Sequence, residues 1–384
     1  MRVLFVPCHE GGIAHQIPLL ALNRMLSGRS IEAAFLVPRV FHKFLRLFGT
    51  HVLNIDHNSF RTEVLAATKF SPDVVVDDFG LFTGVASVVK KLPRVAIQRT
   101  GMFAGSKPRN ENHKHSSKLD VGKLPDLSFL ELPQPKALSD LFEADVKIVP
   151  GIRSIELLPA RSQNDPSYVF SGPLLIDDYM VGHLNQLDER DLSLTDLTDF
   201  NSLRRFFDLQ KDRKVVYATF GTVAEATEPI REAVRSLINA GIAVASNIQV
   251  EGLRTNQREL YYYAKYLPMH FVCSRVDVMI HHCGSGTYHY PILHNTPTIT
   301  IGTKCYDRDD VATRLEELGV SVHIPSPDEC PNFVATLQEA IEKYFDSKTS
   351  LFLEKKKNLA LLNAEIKKTS SSFNFERVLE RVVS

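Results

Sequence analysis

The chain has 384 residues, 44% of them hydrophobic and 23% charged, and its 45 basic side chains are matched by 45 acidic ones for a formal net charge of 0. This is the composition of a globular protein long enough for two domains, and it excludes a general nucleic-acid binder, which would carry a basic excess. The five cysteines, Cys8, Cys273, Cys283, Cys305 and Cys330, are odd in number and lack paired metal-ligand spacing, so they read as reduced thiols.

Along the chain, short apolar strands alternate with helical patterns, the signature of parallel sheets covered on both faces. In the first half, strands are expected at Arg2 to Pro7, Ile31 to Val37, Val52 to Ile55, Asp73 to Val76, Val95 to Gln98 and Val146 to Val149. Helices are expected at Leu19 to Met25, Arg61 to Thr68 and Phe82 to Lys90, each bounded by breakers. The opening run Val3-Leu4-Phe5-Val6 has the length of a buried strand and leads into Cys8-His9-Glu10, which fits neither a signal peptide nor a membrane span. A cytoplasmic protein without integral membrane association is the expectation.

From about Gly105 to Gln134 the chain is polar and without period, and its cations Lys107, Arg109, Lys114 and Lys118 read as a solvated loop or as partners of an acidic acceptor. Phe170-Ser171-Gly172-Pro173 then opens a polar connector to about Arg213, with one helix around Asn201 to Asp208. The second half repeats the pattern. Strands at Val215 to Thr219, Ile242 to Asn247, Val276 to Ile280, Pro297 to Ile301 and Ser321 to Ile324 are separated by helices, the first from about Ala224 to Ala240 with a stop at Gly241.

Two strand ends carry chemistry. Val276 to Ile280 feeds His281-His282-Cys283-Gly284-Ser285-Gly286-Thr287 and then a helical pattern. Two glycines let the backbone approach an anion, the N–H groups of the turn can point at it, and His282 and Thr287 add side-chain donors. At the other end of the chain, Val74-Val75-Val76 runs into Asp77-Asp78-Phe79, where one aspartate can cap the following helix and another can serve a reaction. Metal-capable residues also occur at His281, His282, Cys283 and His289, but neighbours at a strand end point to opposite faces, so no zinc site is expected. Asp307-Arg308-Asp309 has Asp-x-Asp spacing, yet it does not follow a nucleotide-binding strand of the kind that would make it a cation site.

Tyr266-Leu267-Pro268, His282-Cys283-Gly284, Asn295-Thr296-Pro297, Asp307 and Leu318-Gly319 together resemble the donor-binding region of family 1 nucleotide-sugar-dependent glycosyltransferases, both bacterial natural-product and plant enzymes. Ala218-Thr219-Phe220-Gly221-Thr222 resembles that family's strand end after the linker, and Ser171-Gly172-Pro173 resembles the Gly-Pro that closes its first domain. The resemblance implies an α/β chain of GT-B architecture, two facing Rossmann-like doubly wound parallel-sheet domains with an interdomain cleft. It divides the chain into an acceptor-binding domain at 1–175, a linker at 176–212, a donor-binding domain at 213–365 and a terminal helix at 366–384 that packs back on the first domain.

The family's Gly-His-x-x-Pro turn is matched by His15 and Pro18, with Ala14 in place of glycine, which makes His15 the catalytic base. The family's Asp-Phe pairing favours Asp78 over Asp77 as the carboxylate that orients it. The resemblance implies an inverting transfer of a hexose-type sugar from a nucleotide diphosphate to a hydroxyl or amine of a small-molecule acceptor. The donor is read as a UDP-sugar, with a dTDP-sugar as the second option. Donor contacts fall on Gly221, Thr222, Tyr266, His282, Gly284, Ser285, Gly286, Thr287, Asp307 and Arg308, with no metal and no other cofactor.

Three positions depart from the family pattern. Its sugar-binding Gln is Arg308, which could meet a sugar carboxylate or point to solvent; its ribose-binding Glu is Tyr290; and the Gln after the Pro is Met269. A catalytically silent nucleotide-sugar sensor and a nucleotide-sugar epimerase on the same scaffold are the alternatives. No nucleic-acid partner is expected, and the protein is read as a monomer or homodimer.

Overall fold

The computed structural model describes residues 1–8, 13–26, 30–53, 60–80, 83–117, 135–176, 199–221, 226–346 and 350–384. These form two compact units, one of residues 1–108, 115–176 and 367–384, the other of residues 109–114 and 177–366.

The first unit is built on seven strands, β1 (Arg2–Pro7), β2 (Glu32–Phe35), β3 (His51–Val52), β4 (Val74–Asp78), β5 (Arg94–Ile97), β6 (Val146–Val149) and β7 (Tyr168–Phe170). They lie in the order β3-β2-β1-β4-β5-β6-β7, every neighbouring pair parallel. The helices are α1 (Gln16–Met25), α2 (His42–Leu47), α3 (Phe60–Phe70), α4 (Thr83–Lys90) and α5 (Leu138–Leu141). Strand β1 shows why its sequence makes a central strand: from Val3 to Pro7 every residue is buried, as a strand covered on both faces demands. Strand β7 was not expected from the sequence, because a three-residue edge strand is too short to show a period.

The second unit has six strands, β8 (Val215–Thr219), β9 (Ala243–Ser246), β10 (Tyr261–Tyr263), β11 (Val278–His281), β12 (Thr298–Ile301) and β13 (Ser321–Ile324). Their order is β10-β9-β8-β11-β12-β13, again all parallel. Its helices are α6 (Phe200–Leu209), α7 (Glu228–Asn239), α8 (Thr255–Arg258), α9 (Met269–Cys273), α10 (His289–His294), α11 (Tyr306–Glu317) and α12 (Phe333–Phe345). Helix α7 is typical: proline near its start fits the first turn, Ile230, Ala233, Val234, Leu237 and Ile238 form the buried stripe, and Gly241 at φ +81° ends it. Helix α13 (Ser350–Ser372) runs from the second unit into the first, and α14 (Phe375–Val383) belongs wholly to the first. There Phe375 is buried with its ring centroid 6.4 Å from that of Phe5, and Gly172 has no room for a Cβ, which would sit 2.1 Å from Ser370 Oγ. Residues 199–212, read from the sequence as the end of a linker, contain α6 and group with the second unit, where Gln210 Nε2 donates to the Glu259 carbonyl. Among the described residues no helix is long and apolar enough to cross a membrane.

In both sheets the chain leaves one central strand and returns to its other side, so the loops after β1 and β4, and those after β8 and β11, sit at a topological switch point. This is where open α/β sheets bind ligands.

A buried polar network lies beside the first of these points. Arg94 donates through Nε and Nη2 to the two Asp77 oxygens at 2.8 and 3.0 Å, and through Nη1 to the Leu141 and Glu143 carbonyls at 3.0 and 2.9 Å. Glu63 on α3 is buried nearby, and burial above all pushes its carboxyl up to about 8, with Asp77 adding to the rise and Thr83 and Arg94 opposing it. Its unfolded counterpart ionises near 4.5, so the folded state keeps a proton that the unfolded state has lost. The stability this lends is complete below 4.5 and drains away as pH climbs toward 8. Glu63→Gln should therefore gain on the wild type as pH rises, by an amount on the order of 4 kcal/mol across the window. Thermal unfolding at pH 5 and pH 8 checks this; an equal difference at both would refute it.

Candidate active site

The first switch point brings His15 and Asp78 together. Asp78 ends β4 beside the end of β1, with Pro7 as its register partner, and His15 stands at the entrance to α1. His15 Nδ1 is 3.0 Å from Asp78 Oδ1, with the imidazole about a quarter exposed and the carboxylate fully buried. Burial on its own would raise the Asp78 carboxyl, but the Arg99 guanidinium and then His15 outweigh it and hold the group below its usual range. An ionised Asp78 can only accept, so His15 Nδ1 carries the proton and Nε2 is the basic nitrogen. Phe79 follows at φ +62°, a strained bend for a non-glycine residue, and its ring lies 5.6 Å from that of His15.

Asp77 has a different duty. It faces Arg94 and accepts the Gly80 N–H at 3.0 Å, closing the turn that leads toward α4.

The second switch point is built around His282. Cys283 follows at φ +56°, the same left-handed bend that Phe79 makes in the first unit, after the strand holding the same place in its sheet. The imidazole is buried, with the Phe220 ring stacked on it at 5.8 Å and 21°. A Cβ at Gly284 would lie 2.9 Å from His282 Nε2, and one at Gly221 would lie 3.0 Å from Cε1. The two glycines therefore let the backbone pass this edge of the ring without a side chain against it, as the Nε2 of an anion-holding imidazole would require. Burial holds His282 well below the ordinary imidazole range, helped by Arg308 and His281 and opposed by the Thr219 backbone.

Thr287 is buried at the end of the same turn, its N–H bonded to the Gly284 carbonyl at 2.8 Å, while Ser285 and Gly286 form an exposed crest. Helix α10 begins only at His289 and has six residues, so no long helix dipole backs the turn. His281 is fully buried and lowered to about 3 by burial; its Nδ1 accepts the Cys283 N–H at 3.0 Å, which stiffens the bend.

Arg308 is half-buried in the first turn of α11, and its positive charge adds to the lowering of the buried His282. Asp307 shares that first turn. Asp309 is engaged elsewhere: Oδ1 accepts the Thr303 N–H at 2.9 Å and Oδ2 lies 3.2 Å from His113 Nδ1. The Asp-x-Asp spacing thus does not provide two open carboxylates. Tyr266 is half-buried just past β10, and Tyr290 is a buried aromatic set edge-on to His270 at 4.8 Å, with His270 Nδ1 3.0 Å from His294 Nε2. Thr222 lies outside the described residues, as do Lys118 and the rest of 118–134.

Three features escaped the sequence reading. Arg99 grips Asp78. Asn247 fixes the bend after β8, accepting the Phe220 N–H at 3.2 Å and donating to the Gly221 carbonyl at 2.7 Å. Residues 109–114 group with the second unit beside α11, where Lys114 bridges to Cys305 and Arg109 is paired with Glu317. That pairing takes up a cation considered for an acidic acceptor.

No family model matches the chain. An aklavinone 7-beta-L-rhodosaminyltransferase from Streptomyces galilaeus is 26% identical over 121 residues, which are 30% of this chain and 27% of that protein. Among solved structures, the chain is similar to the spinosyn forosaminyltransferase SpnP, with a TM-score of 0.72 at 16% identity, covering 100% of this chain and 99% of the other. It is also similar to a UDP-glucosyltransferase from Polygonum tinctorium capable of glucosylating indoxyl, with a TM-score of 0.72 at 14% identity over 100% and 97% of the two chains. A third is Phytolacca americana UGT2 complexed with UDP-2fluoro-glucose and pterostilbene, with a TM-score of 0.69 at 14% identity over 99% and 98%. Likeness at this level of identity establishes the fold: the chain carries the two doubly wound parallel-sheet units of the GT-B class.

Proposed function

We propose that the chain is an inverting glycosyltransferase that moves a hexose-type sugar from a nucleotide diphosphate, a UDP-sugar in preference to a dTDP-sugar, to a hydroxyl or amine of a small molecule. The observation that carries this reading is the His15–Asp78 hydrogen bond at a switch point, because a carboxylate on Nδ1 orients the ring and leaves Nε2 as the nitrogen to take the acceptor's proton. Glycosyltransferase neighbours of both natural-product and plant type support the same class.

In this mechanism the acceptor hydroxyl gives its proton to His15 Nε2 as its oxygen bonds to the sugar C1. The bond from C1 to the diphosphate breaks, and its electron pair leaves with the nucleotide. A single displacement inverts C1. The diphosphate's growing charge is met by His282 and by the turn from Gly284 to Thr287, with Thr222 assigned to the same anion. These groups do the work of a divalent cation, so we propose a metal-free reaction. Asp307 and Arg308 are assigned to the sugar end of the donor, and Tyr266 to the base.

A panel of UDP- and dTDP-sugars tests the donor side by thermal shift, since a ligand at a hundred times its Kd stabilises by about 2.7 kcal/mol. The expected result is an upward shift with at least one of them, and release of its nucleoside diphosphate once an acceptor is present. No shift with any donor would overturn the donor assignment. A shift without release across an acceptor panel would favour the sensor.

A further inference from the structure

Asp78 is shared. Its Oδ1 accepts from His15 Nδ1 at 3.0 Å and from Arg99 Nη1 at 2.6 Å, and its Oδ2 accepts from Arg99 Nη2 at 2.5 Å. Arg99 reaches it from the end of β5, where Ile97 is level with Asp78 and the chain then turns away, the Met102 N–H bonding to the Arg99 carbonyl at 2.9 Å. The guanidinium is itself about nine-tenths buried. A two-point guanidinium contact of this length, shielded from water, is among the strongest a carboxylate can make. The base therefore leans on a carboxylate whose charge is already balanced.

The other groups around this point do not upset that balance. Asp77, next along β4, is occupied by Arg94; Glu63 on α3 stays protonated at neutral pH; Thr83 on α4 is uncharged; and α14 buries Phe375, Val378 and Leu379. On α1, Gln16 beside His15 is buried and neutral, and beyond Phe79 the His115 ring stacks on that phenyl ring at 6.1 Å.

We propose that Arg99 is a positioning residue that holds Asp78 in place for His15 while neutralising it, so that the imidazole is oriented without being drawn into the imidazolium form before the acceptor arrives. An unbalanced buried carboxylate would pair with a protonated His15 and silence it as a base at neutral pH. With Arg99 present, the carboxylate serves mainly to fix the tautomer. This proposal rests on His15 being the base.

The test is the pH profile of kcat/KM for transfer, from pH 5 to 10, in Arg99→Gln, Arg99→Lys, Asp78→Asn and the Arg99→Gln/Asp78→Asn double variant. In Arg99→Gln the acid limb should move up by about one pH unit or more, leaving the enzyme weak at pH 7 and recovering toward pH 9. Arg99→Lys should bring the limb most of the way back. Asp78→Asn, which leaves the Arg99 charge unbalanced, should move the limb down, and the double variant should return it near the wild-type position. A uniform loss at every pH with the limb unmoved would reduce Arg99 to a structural role and overturn the proposal. If Arg99→Gln fails to fold, Asp78→Asn decides, since a limb that stays put there is equally fatal. A His15→Gln enzyme with normal turnover would sink the base assignment instead, so the two failures are distinguishable.

Discussion

His15→Ala is expected to lower the rate of transfer by roughly a thousandfold, the usual scale of a lost general base, while the thermal shift given by the donor stays unchanged. The separation follows from where the groups sit. His15 belongs to the first unit, with Asp78 and Phe79, while Phe220, Gly221 and Gly284 around the His282 ring belong to the second. Normal turnover by His15→Ala would remove the base from the mechanism. Loss of donor binding along with turnover would show that the residue acts on the second unit's ligand.

Arg94→Met is expected to be the most damaging single change to the first unit, costing about 3–5 kcal/mol, as breaking one side of a buried ion pair does. The Arg94 guanidinium donates two hydrogen bonds to Asp77 and two to main-chain carbonyls, and Asp77 is fully buried. Burial already pushes the Asp77 carboxyl upward, and Arg94 is the largest force holding it down. Without that guanidinium, the carboxyl must take up a proton or let water in. Native stabilities are commonly only 5–15 kcal/mol, so the loss should be visible as a lower urea midpoint and less soluble protein. Adding Asp77→Asn should recover a sizeable part by discharging the orphaned group. Losses that simply add would contradict the coupling.

Much of the fold was legible because parallel strands covered on both faces leave apolar runs, and β1, β4, β8 and β11 are such runs. The turn after β11 was legible for a related reason: glycine lets a backbone pass close to an imidazole, and Gly284 stands after the strand beside His282. Patterns of this kind report which residues are buried and where the chain turns. They do not report which distant side chain meets which. Arg99 lies 21 residues from Asp78 and looks in sequence like any cation after a strand; only the parallel register of β4 and β5 brings it to the carboxylate. Asn247 is hidden in the same way behind the β8–β9 pairing. The membership of 109–114 in the second unit is hidden further still, since its partners Asp309, Asp310 and Glu317 are about 200 positions away.

The bends at Phe79 and Cys283 were also unreadable. Both residues are bulky or thiol-bearing, and neither type advertises a positive φ. The departure at Tyr290 has a physical consequence that the residue name alone does not give. The ring is packed against a hydrogen-bonded histidine pair, so the space is filled by core rather than by an acid pointing at a ribose.

The helix α14 also sets the order in which the protein can be made. Phe375, Val378 and Leu379 are buried in the first unit, yet the ribosome adds them only after all of residues 177–366. Strand β1, although it emerges long before them, waits with part of its covering layer missing through the synthesis of the second unit, which already has all of its own residues, including 109–114, by the time residue 366 is joined. Nascent chains ordinarily complete domains from the N-terminus onward. Here the later unit is the first that can finish, and the earlier one completes the cover of its apolar strands only when α14 arrives.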